Sequence, residues 1–215
     1  MKRFNRLPIF LACLLGILSS TNTHATDLNV SIDTSTVFGE SAIIYFDFIS
    51  GGNSIGNLSS ITSFATDGIL GATSVQGDVT GDLLSTVALN TTSNFFNEFA
   101  QGITFGNHLS FNVNFTENAP DPLGTPDAFS IFAYDGLGNT LPITTDPTGS
   151  NALFLFNIDG STNGNLNVYT LLDGSSPWQV TPLTSVPLPS AAWLLVSGLM
   201  GMGLGTKRNS KVHLS

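Results

Sequence analysis

Leu109-Ser110-Phe111-Asn112-Val113-Asn114-Phe115 is the stretch whose reading decides the fold. Apolar and polar residues alternate here without a break. Successive side chains of a strand point to opposite faces, so Leu109, Phe111, Val113 and Phe115 share one face and the polar residues share the other. A helix would scatter the four apolar side chains around its girth instead. The segment predicts a strand with one buried face.

Working outward, Ala42-Ile43-Ile44-Tyr45-Phe46-Asp47-Phe48-Ile49 is a similar run that ends at Gly51-Gly52-Asn53. Residues 128–134 and 152–158 read the same way, bounded by Pro126-Asp127, Asp135-Gly136, Gly149-Ser150 and Asp159-Gly160. Weaker strand candidates lie at 28–32, 58–64, 83–89 and 166–172. Residues 93–101 fit a helical turn or a strand equally well. Ser, Thr, Asn and Gly crowd the connections, as turn chemistry demands. No long amphipathic helix and no fixed-period repeat appears. The expectation is an all-β fold, an antiparallel β-sandwich of jelly-roll-like type.

Charge is distributed unevenly. All six basic residues, Lys2, Arg3, Arg6, Lys207, Arg208 and Lys211, stand near the two ends of the chain. The interval 26–206 holds all fifteen acidic residues and no Lys or Arg, so it is more anionic than the whole-chain charge of −9 conveys. Nucleic acid is excluded as a partner, because phosphate binding needs basic side chains to displace counterions. Anionic lipid headgroups are disfavoured for the same reason. Cations, neutral sugars and proteins remain. The single cysteine, Cys13, falls in the N-terminal apolar run, so the domain relies on a Phe-rich and aliphatic core rather than on disulfides.

The ends read as addresses. Lys2, Arg3 and Arg6 precede an apolar run over 7–18, followed by the small-residue exit Thr23-His24-Ala25. That order is a secretory signal peptide over 1–25, cut between Ala25 and Thr26. The run is shorter than the ~20 residues that span a bilayer. At the other end, Val186-Pro187-Leu188-Pro189-Ser190 leads into a Gly-rich apolar stretch containing Trp193, and then into Lys207-Arg208. The prolines break the preceding structure. Residues 189–205 predict a short membrane helix, with the basic stop at 207–211 held on the cytoplasmic side. The organisation is therefore 1–25 signal peptide, 26–182 β-sandwich domain and 183–215 sorting tail.

A proline motif, an apolar Gly-rich helix and a terminal basic cluster together resemble the PEP-CTERM sorting signal. Pro187-Leu188-Pro189 stands where that signal usually has Pro-Glu-Pro, and Val-Pro-Leu-Pro followed by Ala-Ala-Trp-Leu resembles a recurring variant. The order of Phe95-Phe96-Asn97-Glu98-Phe99, Gly102, the strand at Leu109, Pro126-Asp127-Ala128-Phe129-Ser130 and Thr145-Asp146-Pro147 is similar to a PEP-CTERM subfamily of unknown activity. The resemblance implies a Gram-negative, exopolysaccharide-producing host and exosortase as the processing partner. It also implies transient residence in the inner membrane, followed by delivery to the outer surface or extracellular matrix. It supplies no catalytic residue.

Three chemistries are open to the domain. His108, the only histidine between the two end segments, has no Cys or second His to complete a triad or a zinc site, and reads as a turn residue. Glycoside hydrolysis needs two carboxyls across a cleft; Glu40, Glu98, Glu117 and the aspartates offer many pairs with no spacing to select one. Calcium has a more specific pattern. Asp159, Ser161 and Asn163 occupy positions 1, 3 and 5 of a loop with Gly164 at position 6, but Thr170 replaces the acidic residue at position 12. The acidic turns around Asp78, Asp82 and Asp135 carry the same residue types, which turns favour for backbone reasons alone.

The expectation is a non-enzymatic, structural or adhesive envelope or matrix protein, with no cofactor beyond a weak calcium site. The alternative is a carbohydrate-binding module, which predicts Tyr45, Tyr134, Tyr169 or Trp178 clustered on one exposed face. A glycoside hydrolase is the lesser alternative and predicts converging carboxyls in a cleft.

Overall fold

The computed structural model describes residues 25–160 and 165–183. The signal segment before Ala25, the loop residues Ser161 and Asn163, the motif Val186 to Ser190, the apolar segment 189–205 and the Lys207-Arg208 stop lie outside the described residues.

The described chain forms twelve strands, β1 (Ala25–Asp33), β2 (Ser41–Ile49), β3 (Leu58–Thr66), β4 (Ile69–Gln76), β5 (Val79–Gly81), β6 (Thr86–Asn90), β7 (Phe96–Thr104), β8 (His108–Thr116), β9 (Asp127–Asp135), β10 (Phe154–Ile158), β11 (Asn165–Val168) and β12 (Trp178–Pro182). A single 3-10 turn at Ser35–Val37 is the only helical element among the described residues, and none there is long and apolar enough to cross a membrane. The alternating stretch 109–115 is the body of β8, and the ambiguous segment 93–101 resolves into strand β7.

The strands build two antiparallel sheets of six. Sheet one runs β12-β1-β8-β3-β6-β5 and sheet two runs β11-β10-β9-β2-β7-β4. Among the first eight strands the pairings are nested, with β1 on β8, β2 on β7 and β3 on β6. The last third of the chain then widens both sheets: β9, β10 and β11 extend sheet two beyond β2, and β12 extends sheet one beyond β1.

The two sheets face each other across one phenylalanine-rich core. Phe111 and Phe115 of β8 enter it from sheet one and meet rings from sheet two. Phe46 lies edge-on to Phe111 at 5.4 Å between centroids, Phe115 stacks on Phe156 at 4.5 Å, and Phe129 approaches Phe115 at 5.1 Å. Apolar residues at every second position of β1, β2, β8, β9 and β10 are buried in this layer. Burying such rings contributes about 1.5–3 kcal/mol each, and the edge-to-face contacts add to that.

Two irregularities break the strand registers. Sheet two's β4 slips register against β7 between Leu70 and Thr73. The buried Gln101 amide compensates by donating to the Gly71 carbonyl at 2.9 Å. In sheet one, β3 breaks register with β8 between Thr62 and Ala65, where Ser63 adopts a φ of 54°.

Candidate functional site

The two outer faces differ in chemistry. Register on sheet one aligns Thr181, Asn29, Asn112, Thr62 and Thr86 in one row. Asp27, Asn114 and Ser60 form the next. Asn29 donates to Asn112 at 2.8 Å and Asn114 donates to Asp27, so this face satisfies its own polar groups.

Sheet two is different. On β2 the outward residues are Ile43, Tyr45, Asp47 and Ile49, since Ala42, Ile44, Phe46 and Phe48 point into the core. Pairing sets Tyr45 beside Phe132 of β9 and Ala100 of β7, and sets Asp47 between Ser130 and Glu98. Tyr134, opposite Ile43, turns its ring edge-on to Tyr45 at 5.4 Å and 87°, and Phe132 lies 6.4 Å from Tyr134. All three rings are half-buried, as are Asp47 and Glu98. The result is a patch of three aromatic rings beside two carboxyls, drawn from β2, β7 and β9.

Its electrostatics follow from crowding. Burial, and then the Glu98 charge across the strand pair, pushes the Asp47 carboxyl up to about 7. Burial also raises Glu98. The Tyr134 hydroxyl is raised by burial, then by the charges of Asp47 and Tyr45. Asp47 Oδ1 is buried and receives no hydrogen bond among the described residues. The patch therefore combines three half-buried rings with two half-buried carboxyls, and no Lys or Arg of 26–183 stands near to neutralise them. Such a surface suits hydroxyl-bearing ligands, whose C–H faces stack on rings and whose O–H groups donate to carboxyls.

The other expected site residues fall elsewhere. Trp178 corrects the expectation that it could join an exposed aromatic face: it is 3 % exposed and packs in the core, because β12 pairs with β1 and sets Trp178 opposite Ile32. Tyr169 is half-buried just past β11 and makes no ring contact with the Tyr45 cluster. His108 is exposed at the start of β8, with Nδ1 at 3.3 Å from Asp67 Oδ1. Asp67 also accepts from the backbone N–H of His108 and Asn107, and the carboxyl is held down at about 2, chiefly by the His108 N–H. This is a clasp on the turn that leads into β8. Thr26, the expected first residue after cleavage, stands in β1 opposite Phe115 and bonds Glu117 through its hydroxyl.

Of the three expected calcium ligands, Asp159 alone lies among the described residues. No group of three or more His, Cys, Asp or Glu side chains able to hold a metal occurs among the described residues. The Asp82 and Asp135 carboxylates are spent on their own turns: Asp82 accepts from Leu84 and Ser85, and Asp135 from Leu137 and Asn139.

The residues that alternation alone did not single out are Asp47, Glu98 and Phe132. Asp47 carried a signal, as a carboxylate inside an otherwise apolar run; the other two join it only through register. No protein-family model matches the chain, and no curated protein or solved structure is similar to it.

Proposed function

We propose that this chain is an exported envelope or extracellular-matrix protein that holds polysaccharide through the outer face of sheet two. The observation that carries the reading is the Tyr45–Tyr134–Phe132 cluster beside Asp47 and Glu98, on a domain without a Lys or Arg. Ring faces with adjacent acceptors suit neutral or hydroxyl-rich chains, and the uniform negative charge repels acidic polymers. The nested pairings of β1 to β8 support reading the domain as jelly-roll-like, a fold that presents a broad sheet face of this kind.

The role is adhesive or structural rather than catalytic. Asp47 and Glu98 stand side by side on paired strands, on the same face of sheet two. A glycosidase holds its carboxyls on the two sides of the bond it cleaves. The address rests on the sequence: Ala25 and Thr26 flank the export cut, Val186-Pro187-Leu188-Pro189-Ser190 is the segment exosortase would process, and Lys207-Arg208 stops transfer. The partners are thus exosortase during sorting and an exopolysaccharide afterwards.

Two measurements test this. Intact mass from the native host with and without exosortase reads the address: loss of the tail only when the enzyme is present supports it, and an intact tail in both strains overturns it. Affinity electrophoresis against neutral and acidic polysaccharides reads the binding face. The double change Tyr45→Ala and Tyr134→Ala should weaken retention by neutral chains at least ~10-fold, a loss of about 1.4 kcal/mol, with the fold intact by circular dichroism. Unchanged retention would remove the binding reading and leave the address untouched.

A further inference from the structure

Where β2, β6 and β8 finish and β9 begins, three buried polar residues meet: Asn57, Thr91 and Asp127, at 2 %, 3 % and 0 % exposed. The pairing of β3 with β6 places the first two. Leu58 stands opposite Asn90, and the Thr91 N–H donates to the Asn57 carbonyl at 3.0 Å, so Asn57 and Thr91 face each other one step beyond the strands. Facing residues hold their Cβ atoms about 4.5–5.5 Å apart on one side of a sheet. Both side chains then converge on one atom of Asp127, at the start of β9 in the other sheet. The Thr91 hydroxyl donates to Asp127 Oδ2 at 2.6 Å, and the Asn57 amide nitrogen donates to the same oxygen at 3.0 Å.

Each part of this arrangement has a counterpart in acyl transfer. Thr91 Oγ1 is a nucleophile held on a carboxylate able to take its proton. It rests against Asn57, whose backbone N–H donates to it at 2.7 Å. The electrophile is the Asn57 side-chain carbon, Cγ. Its oxygen, Oδ1, accepts from the Asn118 N–H at 2.7 Å and from the Thr116 hydroxyl at 3.1 Å. Two such donors polarise the carbonyl and stabilise the negative charge that develops there during attack. The leaving nitrogen, Nδ2, lies against the very oxygen that receives the Thr91 proton. Burial of all three residues keeps out water, the competing nucleophile.

We propose that Thr91 and Asn57 become joined by an intramolecular ester that the folded domain forms by itself. Thr91 Oγ1 bonds to Asn57 Cγ while its proton passes to Asp127 Oδ2. The Cγ–Nδ2 bond then breaks, and Asp127 hands that proton to the departing nitrogen. One ammonia leaves for each ester made, Asp127 is regenerated, and no oxidant, reductant or cofactor is consumed. The ester closes the chain from 57 to 91 and ties the β2–β3 loop covalently to the β6–β7 loop. The interval 26–206 contains no cysteine, so this bond supplies a constraint of the kind that disulfides give other exported domains.

Peptide mass mapping of the exported full chain, digested with pepsin, reads the bond directly. The peptides carrying Asn57 and Thr91 should appear joined, lighter than their sum by one ammonia, and hydroxylamine should separate them. Chain recovered unfolded from inclusion bodies should carry no link, and should release one ammonia per molecule on refolding. Thr91→Ser keeps the hydroxyl and should still join. Thr91→Val and Asp127→Asn, each checked for its fold by circular dichroism, should lower the joined fraction at least ~10-fold. Separate parent peptides at their sequence masses overturn the proposal, as does a joined pair in folded Thr91→Val. The parent chain decides the matter even where a variant does not fold.

Discussion

Phe115 touches more of the core than any alternation rule requires: its ring contacts Phe48, Phe129 and Phe156 of the opposite sheet. Truncation to alanine leaves a cavity with rigid walls, so Phe115→Ala should cost about 3–5 kcal/mol in chemical denaturation. Asp127 is a polar counterpart, 0 % exposed at the start of β9. It accepts from the Gly51 N–H, the Asn57 and Asn53 amides and the Thr91 hydroxyl, tying two loops, β2–β3 and β6–β7, to one carboxylate. Asp127→Ala strands those donors, and a loss of about 3–5 kcal/mol is expected by the same measurement. Asp47 makes a pH-dependent contribution of the opposite kind. Its folded-state value of about 7 exceeds the ordinary 3.8, so the folded chain holds this proton more tightly than the unfolded chain does. The associated stability is present below pH 3.8 and is lost as pH rises through about 7. Asp47→Asn should flatten this component of the stability profile between those limits and raise stability at pH 8; an unchanged profile would refute the assignment.

At the scale of elements, strands that read clearly are those with one dry face and one wet face. β1, β2, β8, β9 and β10 all alternate, and each was legible as a strand within a few residues of its ends. β4, β5 and β12 were not anticipated. Residues of β4 are mostly exposed, it carries Gly71 beside Ala72, and its register slip breaks the period that marks a strand. β5 has three residues and lies at a sheet edge, as does β12 with five. Their pairing is imposed by neighbours rather than by their own pattern. The turn between β5 and β6 is set more locally. Gly81 has a φ of +90°, and a Cβ there would run into the Thr86 carbonyl oxygen. Gly81→Ala should destabilise by at least about 1–3 kcal/mol, read from the thermal midpoint, through strain at a left-handed backbone position.

For the molecule as a whole, charge is the dominant global feature. Fifteen acidic residues between 26 and 206 face no Lys or Arg, so the folded domain repels itself. Raising salt from about 0.01 M to 0.15 M shortens the screening length from about 30 to 8 Å. The thermal midpoint at pH 7 should therefore rise with sodium chloride, and a midpoint indifferent to salt would contradict this. Composition and alternation by themselves determined the all-β class and the inward set of Leu109, Phe111, Val113 and Phe115. These are local or additive properties, legible wherever a side chain's face follows from its parity along a strand. Partner choice is not local. β2 meets β7 and β9, and β1 meets β12, across long stretches of chain; only those registers set Asp47 beside Glu98 and Tyr45 against Tyr134 while carrying Trp178 into the core. The aromatic patch and the Asn57–Thr91–Asp127 cluster are thus products of tertiary structure, because each gathers residues distant in sequence that become neighbours only when both sheets have closed over their shared core.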